Sequence, residues 1–204
     1  MTEASLHHIV VLGWFALAAL TFVTLQFVSA PYGKHARAGW GPTVPARAAW
    51  VVMETPPAVV FAVLFLVGDR RGDPVSIAFL AMYLAHYVYR AWIYPLRMRT
   101  TDKRMPALVC GLAFTTNIVI AYVQARWLFT LGPPRDASWL VDPRFVLGLA
   151  LFVGGYWLNH HSDSILRNLR RPGDSGYQVP TGGAFRWVSS PHYLGEIVEW
   201  TGWA

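Results

Sequence analysis

A group of polar side chains lies near the C-terminal end of a sequence that is otherwise strongly apolar. Its members are Asn159, Asp163, Arg170, Tyr177, His192 and Glu196. Because an unpaired polar group costs several kcal/mol in lipid, such side chains are expected to satisfy one another or to bind a polar ligand. We interpret this mixture of amide, acids, cations and hydroxyl as a binding site for a large, charged cofactor.

A second candidate for chemistry is Glu54, an acid inside the apolar stretch that follows Pro45. If a helix begins directly after Pro45, Glu54 lies roughly two turns inside it, where a carboxylate costs about 2.5 to 3.5 kcal/mol in a membrane and needs a hydrogen-bonding partner. The alternative is a helix that begins later, so that Glu54 complements the positive end of its dipole. Pro56 and Pro57 are expected to kink the helix and to leave nearby carbonyls free.

Partners for Glu54 are available in the stretch LAHYVYRAWIYPLRMR, which contains His86, Tyr87, Arg90 and Tyr94. On a helix, Tyr87, Arg90 and Tyr94 share one face because the second and third lie three and seven residues after the first. Tyr94 is interpreted as an anchor at the membrane interface. Tyr87 lies deeper, and a tyrosine hydroxyl bonded to a carboxylate can donate a hydrogen bond to a carbonyl oxygen and stabilise an oxyanion there.

These side chains must be positioned by elements that suit a bilayer. Hydrophobic residues make up 54% and charged residues 14% of the chain, which is typical of an integral membrane protein. Apolar runs predict helices at 8–29, 47–67, 75–96, 105–130 and 145–158, with a further one beginning near 193. We find no strand pattern, repeat or domain linker. We therefore expect an all-α, polytopic helical bundle formed by one membrane-embedded domain, 1–204.

The charged residues predict how the helices are oriented. Lysine and arginine collect in the loops after the first, third and fifth runs, and cytoplasmic loops carry such an excess. The N-terminus is therefore predicted outside, with the connection 167–191 forming a cytoplasmic cap over the cofactor. The net charge of +6 fits a basic cytoplasmic mouth as well as contact with anionic lipid.

The excess of arginine over lysine suggests a bacterial genome, and hence the inner membrane. The last run is too short to cross about 30 Å of hydrocarbon, which predicts that the chain continues in nature.

Several classes of site lack support in the sequence. There is no GxGxxG motif, so a Rossmann domain is not expected, and there is neither a GxSxG motif nor a P-loop lysine. His160 and Asp163 are spaced to share a metal ion, but two ligands are too few and we expect no metal. The single cysteine, Cys110, cannot form a disulfide within the chain and is interpreted as a small core residue.

Five sequence blocks, in order and with matching spacing, resemble the steroid 5α-reductases, which are NADPH-dependent 3-oxo-5α-steroid 4-dehydrogenases. The blocks are PYGKH at 31–35, PARAAW with the following Glu54 at 45–54, AHYVYR at 85–90, HSDSILRNLRRPG at 161–173, and the pattern GY.VP.GG.F..VS..HYLGEIVEW.G.A at 176–204. The resemblance covers nearly the whole chain. It implies a seven-helix membrane fold that encloses NADPH on its cytoplasmic side and takes a flat Δ4-3-ketosteroid into a cavity facing the bilayer.

The resemblance also implies roles for individual residues. Glu54 and Tyr87 would be the catalytic pair that holds the 3-keto oxygen of the steroid. Residues at positions that contact the steroid are Trp50, Met53 and Phe114. Residues at positions that hold NADPH are Arg99, Lys103, Asn159, Asp163, Arg170, Tyr177, His192 and Glu196. Cationic side chains suit the phosphates of this cofactor, and the amide and acids suit its carboxamide and ribose hydroxyls.

The implied reaction is conjugate hydride transfer to C5 of the enone, with charge developing on the 3-oxygen and water protonating C4. One alternative is reduction of another enone or lipid on the same fold, as in polyprenol and enoyl-CoA reductases. Another is a membrane methyltransferase dependent on S-adenosylmethionine, or a binding or transport protein without chemistry. A methyltransferase has no evident need for an acid and a tyrosine facing a ketone, which favours the steroid reductases. The expected partners are the bilayer and a hydrophobic enone, with neither nucleic acid nor an obligate protein partner.

Overall fold

The computed structural model describes residues 1–31, 39–99, 103–169 and 178–204. Most of these residues are helical, and the chain divides into two compact units, Met1–Pro134 and Arg135–Ala204. Within the described ranges, three helical segments are long and apolar enough to cross a membrane, namely Glu3–Phe27, Ala46–Leu66 and Ala107–Leu131. The prediction of a helical membrane protein is confirmed at this level.

Within its described residues, the first unit is built from five α-helices and a short pair of strands. In chain order these are α1 (Glu3–Phe27), β1 (Thr43–Pro45), α2 (Ala46–Leu66), α3 (Pro74–Val88), the π-helical segment Tyr89–Ile93, α4 (Tyr94–Arg97), β2 (Arg104–Pro106) and α5 (Ala107–Arg126), which ends in a second π-helical segment, Trp127–Leu131. The predicted run 75–96 is therefore one helical stretch interrupted by a π turn. The other runs of this unit match α1, α2 and α5 closely.

The start of α2 decides where Glu54 lies. This helix begins at Ala46, directly after Pro45, and continues through Pro56 and Pro57 to Leu66. Glu54 is therefore more than two turns from the first residue of the helix, because one turn takes about 3.6 residues. The interpretation of Glu54 as a partner of the helix N-terminus is wrong, and its carboxylate lies well inside a segment of membrane-spanning length.

The prediction that the chain contains no strands is wrong. β1 and β2 pair antiparallel, with Thr43 opposite Pro106 and Pro45 opposite Arg104. The N–H of Ala46 donates to the carbonyl of Lys103 at 2.8 Å, which extends the pairing into the first residue of α2. Each strand is three residues long and contains a proline, so neither shows the alternation that marks a strand in sequence. The pairing holds the N-terminal ends of α2 and α5 together.

α1 is attached to α5 near its own N-terminus. The Arg126 guanidinium donates two hydrogen bonds to the Glu3 carboxylate, at 2.7 and 2.8 Å. One turn along α1, the Nε2 atom of the buried His7 lies 2.9 Å from the carbonyl oxygen of Val123. Beyond these contacts α1 is apolar and exposed on most of its surface, as suits a helix that faces lipid.

Within its described residues, the second unit is built on two α-helices. It contains a 3-10 segment at Ala137–Val141, α6 (Pro143–Asn168), a 3-10 segment at Gly183–Arg186 and α7 (Pro191–Trp203). The predicted run 145–158 ended ten residues too early, because hydropathy falls at Asn159 while the helix itself continues. Asn159 and Asp163 are therefore carried on α6, which also includes the first two residues of the predicted cap 167–191. Residues 170–177 of that cap lie outside the described residues.

Glycines allow α6 and α7 to pack with their backbones almost in contact. A Cβ atom added at Gly195 of α7 would lie 2.5 Å from the backbone nitrogen of Asn159, and one added at Gly148 of α6 would lie 2.6 Å from the carbonyl oxygen of Gly202. At Gly155, an added Cβ would collide with the backbone nitrogen of Glu199. Small residues at a helix interface permit this close approach in membrane proteins.

The start of α6 provides a pH-dependent contribution to stability. The Asp142 side chain caps the helix by accepting a hydrogen bond from the backbone N–H of Arg144 at 2.8 Å, and it is ion-paired with the Arg144 guanidinium at 2.9 Å. The side-chain hydrogen bond from Arg144, followed by the backbone one, lowers the pKa of this carboxyl to about 2. A carboxyl whose pKa is lowered on folding stabilises the fold above its unfolded pKa, and this stabilisation is lost as the pH falls towards the folded pKa.

We therefore expect the melting temperature of the protein to fall between about pH 4.5 and pH 2.5 by more than that of the Asp142→Asn variant. Asparagine keeps a side-chain oxygen that can cap the helix but cannot titrate in this range. Thermal unfolding followed by circular dichroism at several pH values would measure the difference. Identical pH profiles for the two proteins would contradict the assigned role of the carboxylate.

Candidate active site

The acid Glu54 and the tyrosines of α3 lie in the interface between α2 and α3. Glu54 is half-buried on α2, and Tyr87 is buried on α3 with 8% of its surface exposed. Tyr83, one turn before Tyr87, interacts electrostatically with Glu54, and its ring centre is 4.7 Å from that of Tyr87. The structure thus places an acid and two phenolic side chains in one part of the helix pair.

An aromatic stack holds this part of the interface in place. The ring of Tyr83 lies parallel to that of Phe61 with centres 3.8 Å apart, and Phe61 meets Phe129 edge to face at 5.0 Å. Tyr83, Phe61 and Phe129 are all fully buried. Phe61 is seven residues after Glu54, so both lie on the same side of α2. Packing of this kind fixes the position of α3, and with it Tyr87, against the helix that carries the acid.

An apolar cluster lies one turn away along α2. Trp50 and Met53 are buried in it together with Ala49, Met105 and Cys110. The structure thus brings together Trp50 and Met53, two of the three residues that the resemblance assigns to the steroid. Cys110 occupies the position of a small core residue.

Phe114, on α5, is 38% exposed and is not among the buried residues of this cluster. The same helix contributes Asn117, whose Nδ2 donates to the carbonyl oxygen of Met53 at 2.6 Å. α5 therefore contacts Met53 through a polar side chain that the sequence analysis did not single out. Asparagine inside an apolar run was the available signal.

Basic residues collect where the strand pair joins the helices. Arg99 and Lys103 are exposed, and they flank 100–102, which lie outside the described residues. Nearby, the Nη2 atom of Arg47 donates to the carbonyl of Met98 at 2.7 Å, while its buried Nε atom has no hydrogen-bond acceptor within the described ranges. Cationic groups held in this way suit an anionic ligand.

The second unit brings together four of the predicted polar residues. Asn159 is buried on α6, with 3% of its surface exposed, and its Nδ2 atom donates to the carbonyl oxygen of His192 at 3.0 Å and to Oε1 of Glu196 at 3.4 Å. Asp163 is buried one turn further along α6. Arg170 and Tyr177 lie outside the described residues.

One acid of the second unit was missed by the sequence analysis. Glu199 on α7 is fully buried, three residues after Glu196. Its backbone lies against Gly155 of α6, so it sits where the two helices approach most closely. Its spacing from Glu196 on an otherwise apolar helix was the signal that could have identified it, because residues three apart share a helix face.

Known proteins similar to this chain share one family. The family model described as 3-oxo-5-alpha-steroid 4-dehydrogenase matches residues 103–204. A steroid 5-alpha-reductase, DET2, from Gossypium hirsutum is 40% identical over 206 residues, which cover 100% of this chain and 80% of the relative. The 3-oxo-5-alpha-steroid 4-dehydrogenase 1 of Bos taurus is 40% identical over 193 residues, covering 93% of this chain and 74% of the relative. The enzyme of the same name from Homo sapiens is 40% identical over 191 residues, covering 93% and 73%.

The chain belongs to the steroid 5α-reductase family. The resemblance inferred from the five sequence blocks is thereby confirmed. The region matched by the family model contains all of α5, α6 and α7, including the described polar residues of the second unit. Glu54 and Tyr87 lie before that region, but within the stretch aligned with the Gossypium hirsutum reductase.

The polar side chains of α6 and α7 suit the groups of a dinucleotide cofactor. In this family member, α6 and α7 present the Asn159 amide and the carboxylates of Asp163, Glu196 and Glu199, of which the amide and the first and third carboxylates are buried. At the end of α6, the Nη1 atom of Arg167 is buried and has no hydrogen-bond acceptor in the part of the chain that the structure describes. Carboxylates can accept from hydroxyl groups and a guanidinium can bind phosphate, so the donor set fits such a cofactor.

Proposed function

We propose that the protein reduces the C4–C5 double bond of 3-oxo-Δ4-steroids to give 5α-dihydrosteroids, with NADPH as the reductant. The observation that carries the proposal is the acid Glu54, half-buried well inside a membrane-length helix, in a family whose named members are 3-oxo-5-alpha-steroid 4-dehydrogenases. A carboxylate at this depth of a membrane-length helix is costly, and its place beside tyrosines favours a role in holding a polar group of an otherwise apolar substrate.

On the substrate side, Tyr87 would donate a hydrogen bond to the 3-keto oxygen, and Glu54 would orient the tyrosine hydroxyl. A donor aimed at this oxygen stabilises the negative charge that develops on it during reduction. The buried Trp50 and Met53 would contact the flat, apolar face of the steroid, and Phe114 would contribute from α5. A buried site excludes water and thereby strengthens the hydrogen bond to the developing charge.

On the cofactor side, Asn159, Asp163, His192 and Glu196 would hold NADPH through its hydroxyl and amide groups. Arg99, Lys103, Arg170 and Tyr177 are assigned to the same cofactor, with the cations matched to its phosphates. When bound, NADPH supplies the hydride that reduces the double bond at C5. The developing charge on the 3-oxygen would remain hydrogen-bonded to Tyr87 until water protonates C4.

The proposed arrangement in the membrane follows from the same reasoning. We assign the family's seven-helix fold and a single reductase domain to the full protein, with the N-terminus outside and the basic loops in the cytoplasm. The exposed Arg99, Lys103 and Arg186 would then face the compartment that holds phosphorylated metabolites. A bacterial inner membrane is the proposed location.

The test is reduction of testosterone or progesterone by the detergent-purified protein with NADPH, with products separated by chromatography and identified by mass spectrometry against 5α and 5β standards. We expect the 5α product, and we expect NADH to support the reaction less well. A 5β product would contradict the proposed stereochemistry. No steroid product, with NADPH still retained, would transfer the proposal to another enone or lipid, whereas retention of S-adenosylmethionine in place of NADPH would overturn it.

A further inference from the structure

Arg90 lies against two aromatic rings in the first unit. Its guanidinium carbon is 4.7 Å from the ring centre of Trp50 and 5.1 Å from that of Tyr94. The two rings meet edge to face, with their centres 5.3 Å apart. Trp50 is buried, and Arg90 and Tyr94 are half-buried. Burial matters here because the attraction between a cation and an aromatic ring strengthens as water is removed from the contact.

The group formed by Arg90, Trp50 and Tyr94, called the Arg90 stack below, lies next to the proposed catalytic pair Glu54 and Tyr87. Trp50 precedes Glu54 by four residues on α2, and Arg90 follows Tyr87 by three residues, in the π-helical segment that continues α3. Residues three or four apart share a helix face, so the Arg90 stack and the catalytic pair are neighbouring levels of the same helix interface. A substitution that frees the Trp50 ring should therefore change the packing one helical turn from the place where the 3-keto end of the steroid is proposed to bind.

The π-helical segment Tyr89–Ile93 carries Arg90. The segment closes with a hydrogen bond from the backbone N–H of Tyr94 to the carbonyl of Tyr89, five residues earlier instead of four. A π turn of this kind redirects the side chains of a helix and is frequent at functional sites. The planar guanidinium of arginine can stack on an indole ring, whereas the compact ammonium of lysine cannot do so over the same area.

We propose that Arg90 is a positioning residue for steroid binding, whose guanidinium contacts both Trp50 and Tyr94 and thereby fixes the orientation of the Trp50 ring. The inference rests on the proposed function, in which Trp50 contacts the steroid. With the Arg90 stack intact, the ring holds one orientation before the substrate arrives, and less conformational entropy is lost when the steroid binds. Without it, the ring gains rotational freedom. Steroid binding should then weaken, while NADPH binding and the hydrogen bond from Tyr87 are preserved.

Arg90→Met tests this by keeping an apolar stem and removing the cation. We expect the KM for the steroid to rise about tenfold, the order of effect expected for a partly buried cation–π contact. The KM for NADPH should stay within about twofold, since no cofactor residue is changed. Arg90→Lys, which keeps the charge but loses the planar stack, should give an intermediate steroid KM. The control is Arg135→Met, which removes a cation 5.3 Å from the ring centre of Trp139 in the second unit and should alter neither KM.

A further pair of variants shows whether Arg90 acts through Trp50. In a Trp50→Leu background the ring is gone, so adding Arg90→Met should raise the steroid KM no further. Full additivity of the two substitutions, or an unchanged steroid KM in Arg90→Met and Arg90→Lys, would overturn the inference. So would a loss of kcat with both KM values unchanged, because that pattern indicates only a smaller fraction of folded enzyme. Absence of turnover in the unaltered protein would instead contradict the proposed function, and the inference with it.

Discussion

Replacement of Tyr87 by phenylalanine should lower steroid turnover about a hundredfold or more, because loss of one oxyanion donor costs about 2.7 to 4 kcal/mol of transition-state stabilisation. The ring of Tyr87 is buried and packs edge to face on His86 at 4.9 Å, contacts that phenylalanine can keep. Only the hydroxyl group is removed. The affinity for NADPH should therefore be nearly unchanged, and fluorescence titration with NADPH beside kcat measurement would separate the two properties.

Two other tyrosines make this experiment specific. Tyr122→Phe removes a hydroxyl from α5, where the ring lies 6.1 Å from that of His7, and should leave turnover as it is. Tyr83→Phe removes the hydroxyl that interacts with Glu54 one turn before Tyr87. If Tyr83→Phe abolished turnover while Tyr87→Phe retained it, the hydrogen bond to the 3-keto oxygen would belong to Tyr83. Full turnover in both variants would remove the tyrosine donor from the mechanism.

The positions of the helices could be predicted because their signals are local. A run of apolar residues that suits a bilayer also forms a helix there, since lipid offers no other partner for the backbone. Pro45 marked the start of α2 and favoured a position for Glu54 inside the helix, although a later start remained open until the structure placed the first residue at Ala46. The five sequence blocks identified the family because they combine many specific residues in one order and with one spacing.

The features that were missed depend on contacts between distant parts of the chain. β1 and β2 are separated by about 60 residues and are too short to show a pattern of their own. The polar residues of α6 after Leu158 are partly satisfied by α7, whose first turn supplies the His192 carbonyl that accepts from the Asn159 amide. Glu199 and Tyr83 were overlooked for the same reason, because burial of a polar side chain is decided by the helix packed against it.

The contact between α6 and α7 gives the second large prediction. Gly155→Ala should lower the free energy of unfolding by about 1 to 3 kcal/mol, the usual cost of inserting a methyl group into a packed interface. For a chain of this size the melting temperature should fall by roughly 3 to 10 °C. An alanine Cβ at Gly155 would collide with the backbone of Glu199, and neither helix backbone can yield without moving the other. Thermal unfolding in detergent would measure the change.

The preceding residue offers a matched control on the same helix. Gly154 is exposed, and a Cβ added there meets no atom within 4 Å, so Gly154→Ala should keep or raise stability through the higher helix propensity of alanine. Gly195→Ala on α7 should reproduce the effect of Gly155→Ala, because its added Cβ would lie 2.5 Å from the backbone nitrogen of Asn159.

Forcing the helices apart should also lengthen the hydrogen bond from Asn159 to His192, so NADPH affinity should fall in Gly155→Ala and Gly195→Ala but not in Gly154→Ala. Equal melting temperatures for all three variants would show that the helices can separate without cost, and that close backbone packing does not hold the proposed cofactor residues in place.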